Sequence, residues 1–371
     1  MPDAAIRQEV LANARRIVVK VGTNAICDEL GRPDRSTIAS LSRQIVAIRK
    51  RGVAVLMVSS GAIGAGLGEL GLAGRPKTMP ELQAAAAVGQ GQLMRVFHDA
   101  FARQGVKVAQ VLLTRDDLEE RTRYLNIRNT LRALEEYDAL PIINENDTVA
   151  VDEIRFGDND MIAAQLANMV GADALVLLTT VDGVLRDGRV LDAIEQVDES
   201  ALSLDSGKRS GLGSGGMKSK LQAAGLVTQA GEVAVIANAR MPRVLLRLLA
   251  GERVGTVFVP AVRKMSSRRR WIAQVARTAG RLVVDDGAAK ALTQRGKSLL
   301  PSGIVGVSGE FPKGATVAVI DPSGKQIARG LTNYSSEQIR MIKGLKTSQV
   351  ARALGDKPYD EVIHRNNMTV G

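Results

Sequence analysis

The stretch Pro141–Asp160, PIINENDTVAVDEIRFGDND, decides the fold class of this 371-residue chain. Leu140–Ile143, at its start, reads as a buried strand, and asparagines and carboxylates crowd in where that strand ends. Open α/β sheets place their ligands at such carboxyl ends. Asn144, Asn146, Asp147, Asp158, Asn159 and Asp160 are therefore candidates to line a small polar site, holding an amine, a hydroxyl or a metal-bound phosphate. The same residues also fit an acidic surface loop in which Asp158 or Asn159 caps a helix.

Strands and helices alternate on both sides of this stretch. Upstream, Arg16–Val21 (RIVVKV) reads as a buried strand interrupted by Lys20 and ending in Gly22-Thr23-Asn24. A compact cation at the end of a strand, beside glycine and hydroxyl residues, suits a phosphate. Ser36–Arg51 has helical spacing behind Asp34, and Val53–Val58 is a second strand that runs into Ser59-Ser60-Gly61. Glycines at such a turn let backbone N–H groups approach an anion, and the next helix adds its dipole. Glu81–Arg103 reads as a long helix used for core packing, Lys107–Leu113 as a strand and Leu125–Tyr137 as a helix. Downstream come a helix at Met161–Val170 and a strand at Ala174–Leu178 that ends in Thr179-Thr180. The alternation predicts an α/β fold, an open, mainly parallel sheet sandwiched by helices.

Ser206–Lys220 is glycine-rich and leads into a helix reaching about Ala230. No strand precedes it, so the dinucleotide fingerprint fails its context, and it lacks the frame of a Walker A loop. Lys218 and Lys220 open a helix where the dipole disfavours cations, which points to a phosphate ligand. A strand at Glu232–Ala237 and a helix at Met241–Ala250 follow. Past the basic run Arg263–Trp271, closely spaced strands and turns indicate a small β-rich domain. The expected division is 1–262, a linker over 263–279, and 280–371.

Composition narrows the chemistry. An apolar share of 45% supports a sizeable core. No apolar run approaches the length of a membrane span and no signal-peptide core is present, so the expectation is a cytoplasmic protein with no membrane partner. Cys27 is the sole cysteine and His98 and His364 the only histidines, which excludes an internal disulfide and cysteine-cluster zinc and leaves Ser-His-Asp chemistry poorly supported. Residues 1–260 carry 31 basic and 31 acidic side chains, whereas residues 261–371 carry 19 and 8. The whole net charge of +11 thus sits in the last third, as for a polyanion-binding tail or a solvated basic face.

Taken together, VVKVGTN (Val18–Asn24), SSGAIGAG (Ser59–Gly66), INENDTV (Ile143–Val149), FGDNDMIAA (Phe156–Ala164), LLTTVDGV (Leu177–Val184) and SGLGSGGMKSKLQAA (Ser210–Ala224) resemble the amino acid kinase family, in particular its glutamate-phosphorylating branch. The tail from Val283 resembles the PUA domain, a small RNA-associated β fold. The resemblance implies ATP- and Mg²⁺-dependent phosphorylation of the glutamate side-chain carboxylate, the first step of proline biosynthesis. It implies that Lys20 and Lys220 meet the transferred phosphoryl group and that Asp160 holds them. It implies glutamate contacts from Ser60, Asp147 and Asn159, with Asn144 and Asp158 nearby. It implies ATP contacts from Lys20, Thr179, Thr180, Ser214, Gly215, Gly216, Met217, Lys218, Ser219 and Lys220, and metal ligands from none of the side chains. Thr180 stands where the family usually has Asp, and the loop after Gly183 is short. Expected partners are L-glutamate, ATP, proline as a feedback inhibitor, RNA at the PUA domain, the reductase that consumes glutamyl phosphate, and further copies of the chain. The alternatives are an acetylglutamate or aspartate kinase, or an RNA-binding protein with a kinase-like scaffold.

Overall fold

The computed structural model describes residues 6–28, 30–72, 74–150, 159–202, 216–260, 271–356 and 358–370. The chain divides into two compact units, Met1–Leu118 with Thr122–Lys264, and Glu119–Arg121 with Met265–Gly371.

The larger unit is built on an eight-stranded sheet. Its main elements are β1 (Arg16–Val21), α1 (Arg35–Arg49), β2 (Ala54–Ser59), α2 (Ala62–Glu69), α3 (Met79–Ala102), β3 (Val108–Leu113), α4 (Arg121–Glu136) and β4 (Leu140–Glu145). They continue with α5 (Asn159–Val170), β5 (Ala174–Thr179), β6 (Ala193–Ile194), α6 (Met217–Gln229), β7 (Val233–Asn238) and β8 (Thr256–Phe258). The strand order is β3-β4-β2-β1-β5-β7-β8-β6. Strands β3 to β7 in that order are all parallel, and β8 runs antiparallel to β7. The carboxyl ends of β1, β2, β4, β5 and β7 therefore open on one edge.

The side chains explain this layering. Ile17, Val19 and Val21 of β1 join the buried face packed by Ile38, Leu41, Ile45 and Ile48 of α1 and by Leu93 and Phe97 of α3. Strand alternation turns Val18 and Lys20 to the opposite face, where α5 packs on β1 and on α6. Asp34 starts α1 by accepting from the backbone N–H groups of Ser36 and Thr37. Helices α2 and α3 cross almost backbone to backbone. A Cβ added at Gly66 would lie 1.8 Å from the carbonyl oxygen of Ala85, and one at Gly89 would lie 1.9 Å from that of Ala62. Only glycine permits that approach. Arg7, fully buried, donates to the carbonyls of Asp192, Glu252, Val254 and Gly255, tying the start of the chain to the β8 edge.

The smaller unit contains β9 (Gly280–Val284), α7 (Asp286–Arg295), β10 (Ile304–Ser308), β11 (Thr316–Ile320), β12 (Gln326–Leu331), α8 (Ser336–Ile342) and β13 (Met368–Val370). Its sheet runs β10-β9-β11-β12-β13, with β9 and β11 parallel and the other pairs antiparallel. Leu282, Val284, Leu292, Val317, Val319, Ile339 and Ile342 build a core separate from that of the larger unit. The sequence reading missed α7 and α8. Both have clear starts, since Asp285 accepts from Ala288 N at 2.7 Å and Ser335 and Gln338 form a reciprocal cap. The helix read over Met241–Ala250 is shorter, at Val244–Leu248, and much of the basic run Arg263–Trp271 lies outside the described residues.

Candidate active site

Three charged side chains from distant parts of the chain meet at the open edge of the sheet. Asp160, in the first turn of α5, is fully buried. Its Oδ1 pairs with Lys20 Nζ at 2.8 Å and its Oδ2 with Lys220 Nζ at 3.0 Å. Ser219 Oγ donates to the same Oδ2 at 2.6 Å. Burial alone would raise the pKa of Asp160, but the two ammonium groups and the hydroxyl override it and hold the carboxyl well below the usual range. Lys20 and Lys220 are 4% and 6% exposed, so both cations are nearly desolvated. Two buried ammoniums on one carboxylate leave a net positive charge, a fitting counter to a migrating phosphoryl group.

On the β2–β4 side lies a chain of side-chain amides. Asn144, at 1% exposure, donates through Nδ2 to Gln90 Oε1 at 2.7 Å. Asn144 Oδ1 accepts from Glu145 N at 2.9 Å and from Asn159 Nδ2 at 3.1 Å. Asn159 Oδ1 is buried and accepts no hydrogen bond among the described residues. Asp147 is half-buried, and burial pushes its pKa up to about 6 against the opposing pull of Arg75. Arg75 is itself lowered by burial, with Asp147 acting to restore it. Ser60, 8% exposed, donates its backbone N–H to Val21 O at the end of β1, and Gly61 beside it has φ 101°. That left-handed turn lets the backbone leave β2 and enter α2.

On the β5–β7 side, Thr179 is half-buried at the end of β5 and pairs in register with Asn238, and Thr180 is exposed. Gly216 caps α6, followed by a half-buried Met217, an exposed Lys218 and a half-buried Ser219. The turn after β5 is held from below. Thr256 Oγ1 accepts from Val184 N at 2.8 Å and donates to Leu191 O at 2.6 Å. A Cβ on Gly183 would come 2.6 Å from that same oxygen.

Of the candidate residues, Lys20, Ser60, Asn144, Asp147, Asn159, Asp160, Thr179, Thr180, Gly216, Met217, Lys218, Ser219 and Lys220 belong to these elements, while Asp158, Ser214 and Gly215 lie outside the described residues. Gln90, Arg75 and Thr256 were not singled out from sequence. Gln90 carried only a weak signal, a glutamine in an alanine-rich helix otherwise read as packing. No group of three or more metal-ligating side chains occurs among the described residues.

An amino acid kinase family model matches residues 15–238, and a PUA domain model matches residues 280–354. The glutamate 5-kinase of Caldanaerobacter subterraneus subsp. tengcongensis is 47% identical over 362 residues, covering 96% of this chain and 97% of its own. The glutamate 5-kinase of Moorella thermoacetica is 45% identical over 367 residues, covering 97% of both. Among solved structures, a Giardia carbamate kinase aligns with a TM-score of 0.49 at 22% identity, covering 67% of this chain and 99% of its own.

Proposed function

The chain belongs to the amino acid kinase family, and on that footing we propose that it transfers the γ-phosphoryl group of ATP to the side-chain carboxylate of L-glutamate. The product is glutamyl 5-phosphate, at the first step of proline biosynthesis. The observation that carries this proposal is the single buried carboxylate of Asp160 holding the amines of Lys20 and Lys220 together.

The chemistry asks for cations more than for a base. A glutamate side chain has a pKa of about 4.3 and is ionised at neutral pH, so it attacks phosphorus without giving up a proton. The barrier is the approach of an anion to a polyanion, lowered by fixed positive charge and alignment. Lys20 and Lys220, oriented by Asp160, supply that charge, and the N–H groups that open α6 face the same end of the sheet. The described side chains suit a metal carried in on the nucleotide, since Asp160 is already engaged by two lysines and a serine. Mg²⁺ brought in with ATP would supply charge neutralisation at the phosphates. Ser60, Asp147 and Asn159 take glutamate on the β2–β4 side, with Asn144 behind them and Asp158 as a further candidate contact. Thr179, Thr180, Ser214, Gly215, Gly216, Met217, Lys218 and Ser219 take ATP on the other side.

The test is trapping the acyl phosphate with hydroxylamine in the presence of ATP and Mg²⁺. Hydroxamate should form with L-glutamate and not with L-aspartate or N-acetyl-L-glutamate; a preference for either of the latter overturns the substrate assignment. The proposal extends to feedback inhibition by proline, passage of product to glutamyl phosphate reductase, a homo-oligomer in the cytoplasm, and RNA phosphates bound by the basic smaller unit.

A further inference from the structure

The direction of the amide chain in the β2–β4 half of the site can be derived atom by atom. An asparagine side chain can be turned over without changing its shape, so its orientation must be read from its partners. Glu145 N is a backbone donor and cannot accept, so the Asn144 atom facing it must be Oδ1. That choice puts Asn144 Nδ2 against Gln90 Oε1. The second lone pair of Asn144 Oδ1 then takes a donor from Asn159, which must be Nδ2. Asn159 is left presenting Oδ1, a buried acceptor unclaimed by any described residue.

We infer that Gln90 is a positioning residue of the glutamate site: by accepting from Asn144 it locks the relay that points the Asn159 carbonyl oxygen at the substrate's α-ammonium group, selecting a free amine. This rests on the functional assignment above. Gln90 touches no substrate itself and acts through Asn144, whose amide is engaged at both ends. An amine donor meets an acceptor already fixed in place, whereas a ligand lacking it leaves that acceptor buried and unpaired. Without Gln90, Glu145 N still faces Asn144 Oδ1, but Asn144 Nδ2 is left without its acceptor, so the amide is anchored at one end only and holds Asn159 less firmly.

The test is equilibrium binding, by calorimetry, of L-glutamate and of glutarate, which keeps both carboxylates and lacks the ammonium group. It compares wild type, Gln90→Leu and Gln90→Glu, with the KM for ATP as a check on folding. The expected result is that Gln90→Leu narrows the preference for glutamate over glutarate by about fivefold or more, that Gln90→Glu, which retains an acceptor, restores most of it, and that the KM for ATP stays unchanged in both. Equal weakening of the two ligands, or an unaltered preference in Gln90→Leu, overturns the relay. A wild type that binds glutamate selectively yet forms no hydroxamate sinks the functional assignment and leaves the relay standing.

Discussion

At the scale of single residues, the proposed site holds charge where water cannot screen it. Replacing Lys220 by alanine should lower kcat at least about tenfold, near 1.4 kcal/mol of barrier or more, and steady-state kinetics reads this directly. Asp160→Asn strands two buried ammonium groups, and breaking such a cluster costs about 3–5 kcal/mol of stability, measurable by urea denaturation. The pKa of Asp160 lies below its unfolded value, so its stabilisation is complete above about pH 3.9 and fades as pH falls through the folded-state value. Asp147 has the opposite sign. Its pKa is raised to about 6, so it favours the folded state when protonated, and that contribution is lost as pH rises from about 4 through 6. Its ionised form is the one suited to an ammonium group, so the KM for glutamate should climb as pH drops below 6. Asp147→Asn should flatten that profile and raise KM at neutral pH; an unchanged profile would remove Asp147 from the binding site.

At the scale of elements, the turn after β5 depends on one hydroxyl. Thr256→Val keeps the shape but leaves Val184 N and Leu191 O without their buried partner, a loss of about 1–3 kcal/mol, seen as a lower thermal midpoint, and Thr256→Ser should recover it. Most strands of the larger unit were legible because a central parallel strand is apolar on both faces, as Ile17–Val19 is, and stops abruptly at polar residues. Lys20 stood out for the complementary reason, as a charge set in an apolar run, and Asp160 as one of the asparagines and carboxylates crowded past the end of β4. What could not be read were contacts made by residues with no local signal. Thr256 lies in a three-residue strand too short to show periodicity, and Gln90 matters only through a side chain 54 positions away. In the smaller unit, turn-forming residues drew attention to the strands, and α7 and α8 were overlooked despite the capping residues Asp285 and Ser335 that start them.

At the scale of the whole molecule, two units with separate cores imply separable duties. A fragment of residues 271–371 carries most of the excess positive charge in the sequence. Its affinity for RNA should fall steeply and log-linearly with salt concentration, and a salt-independent titration in a filter-binding assay would count against phosphate recognition. The larger unit has a different kind of consequence. Lys20 belongs to the first strand of the sheet and Lys220 to a helix near its end, yet both serve one carboxylate. A nascent chain still lacking its latter half holds one lysine without the other, and so does a proteolytic stump cut between them. With both lysines acting on the phosphoryl group as proposed, turnover would announce a finished site, and half-made enzyme would be silent.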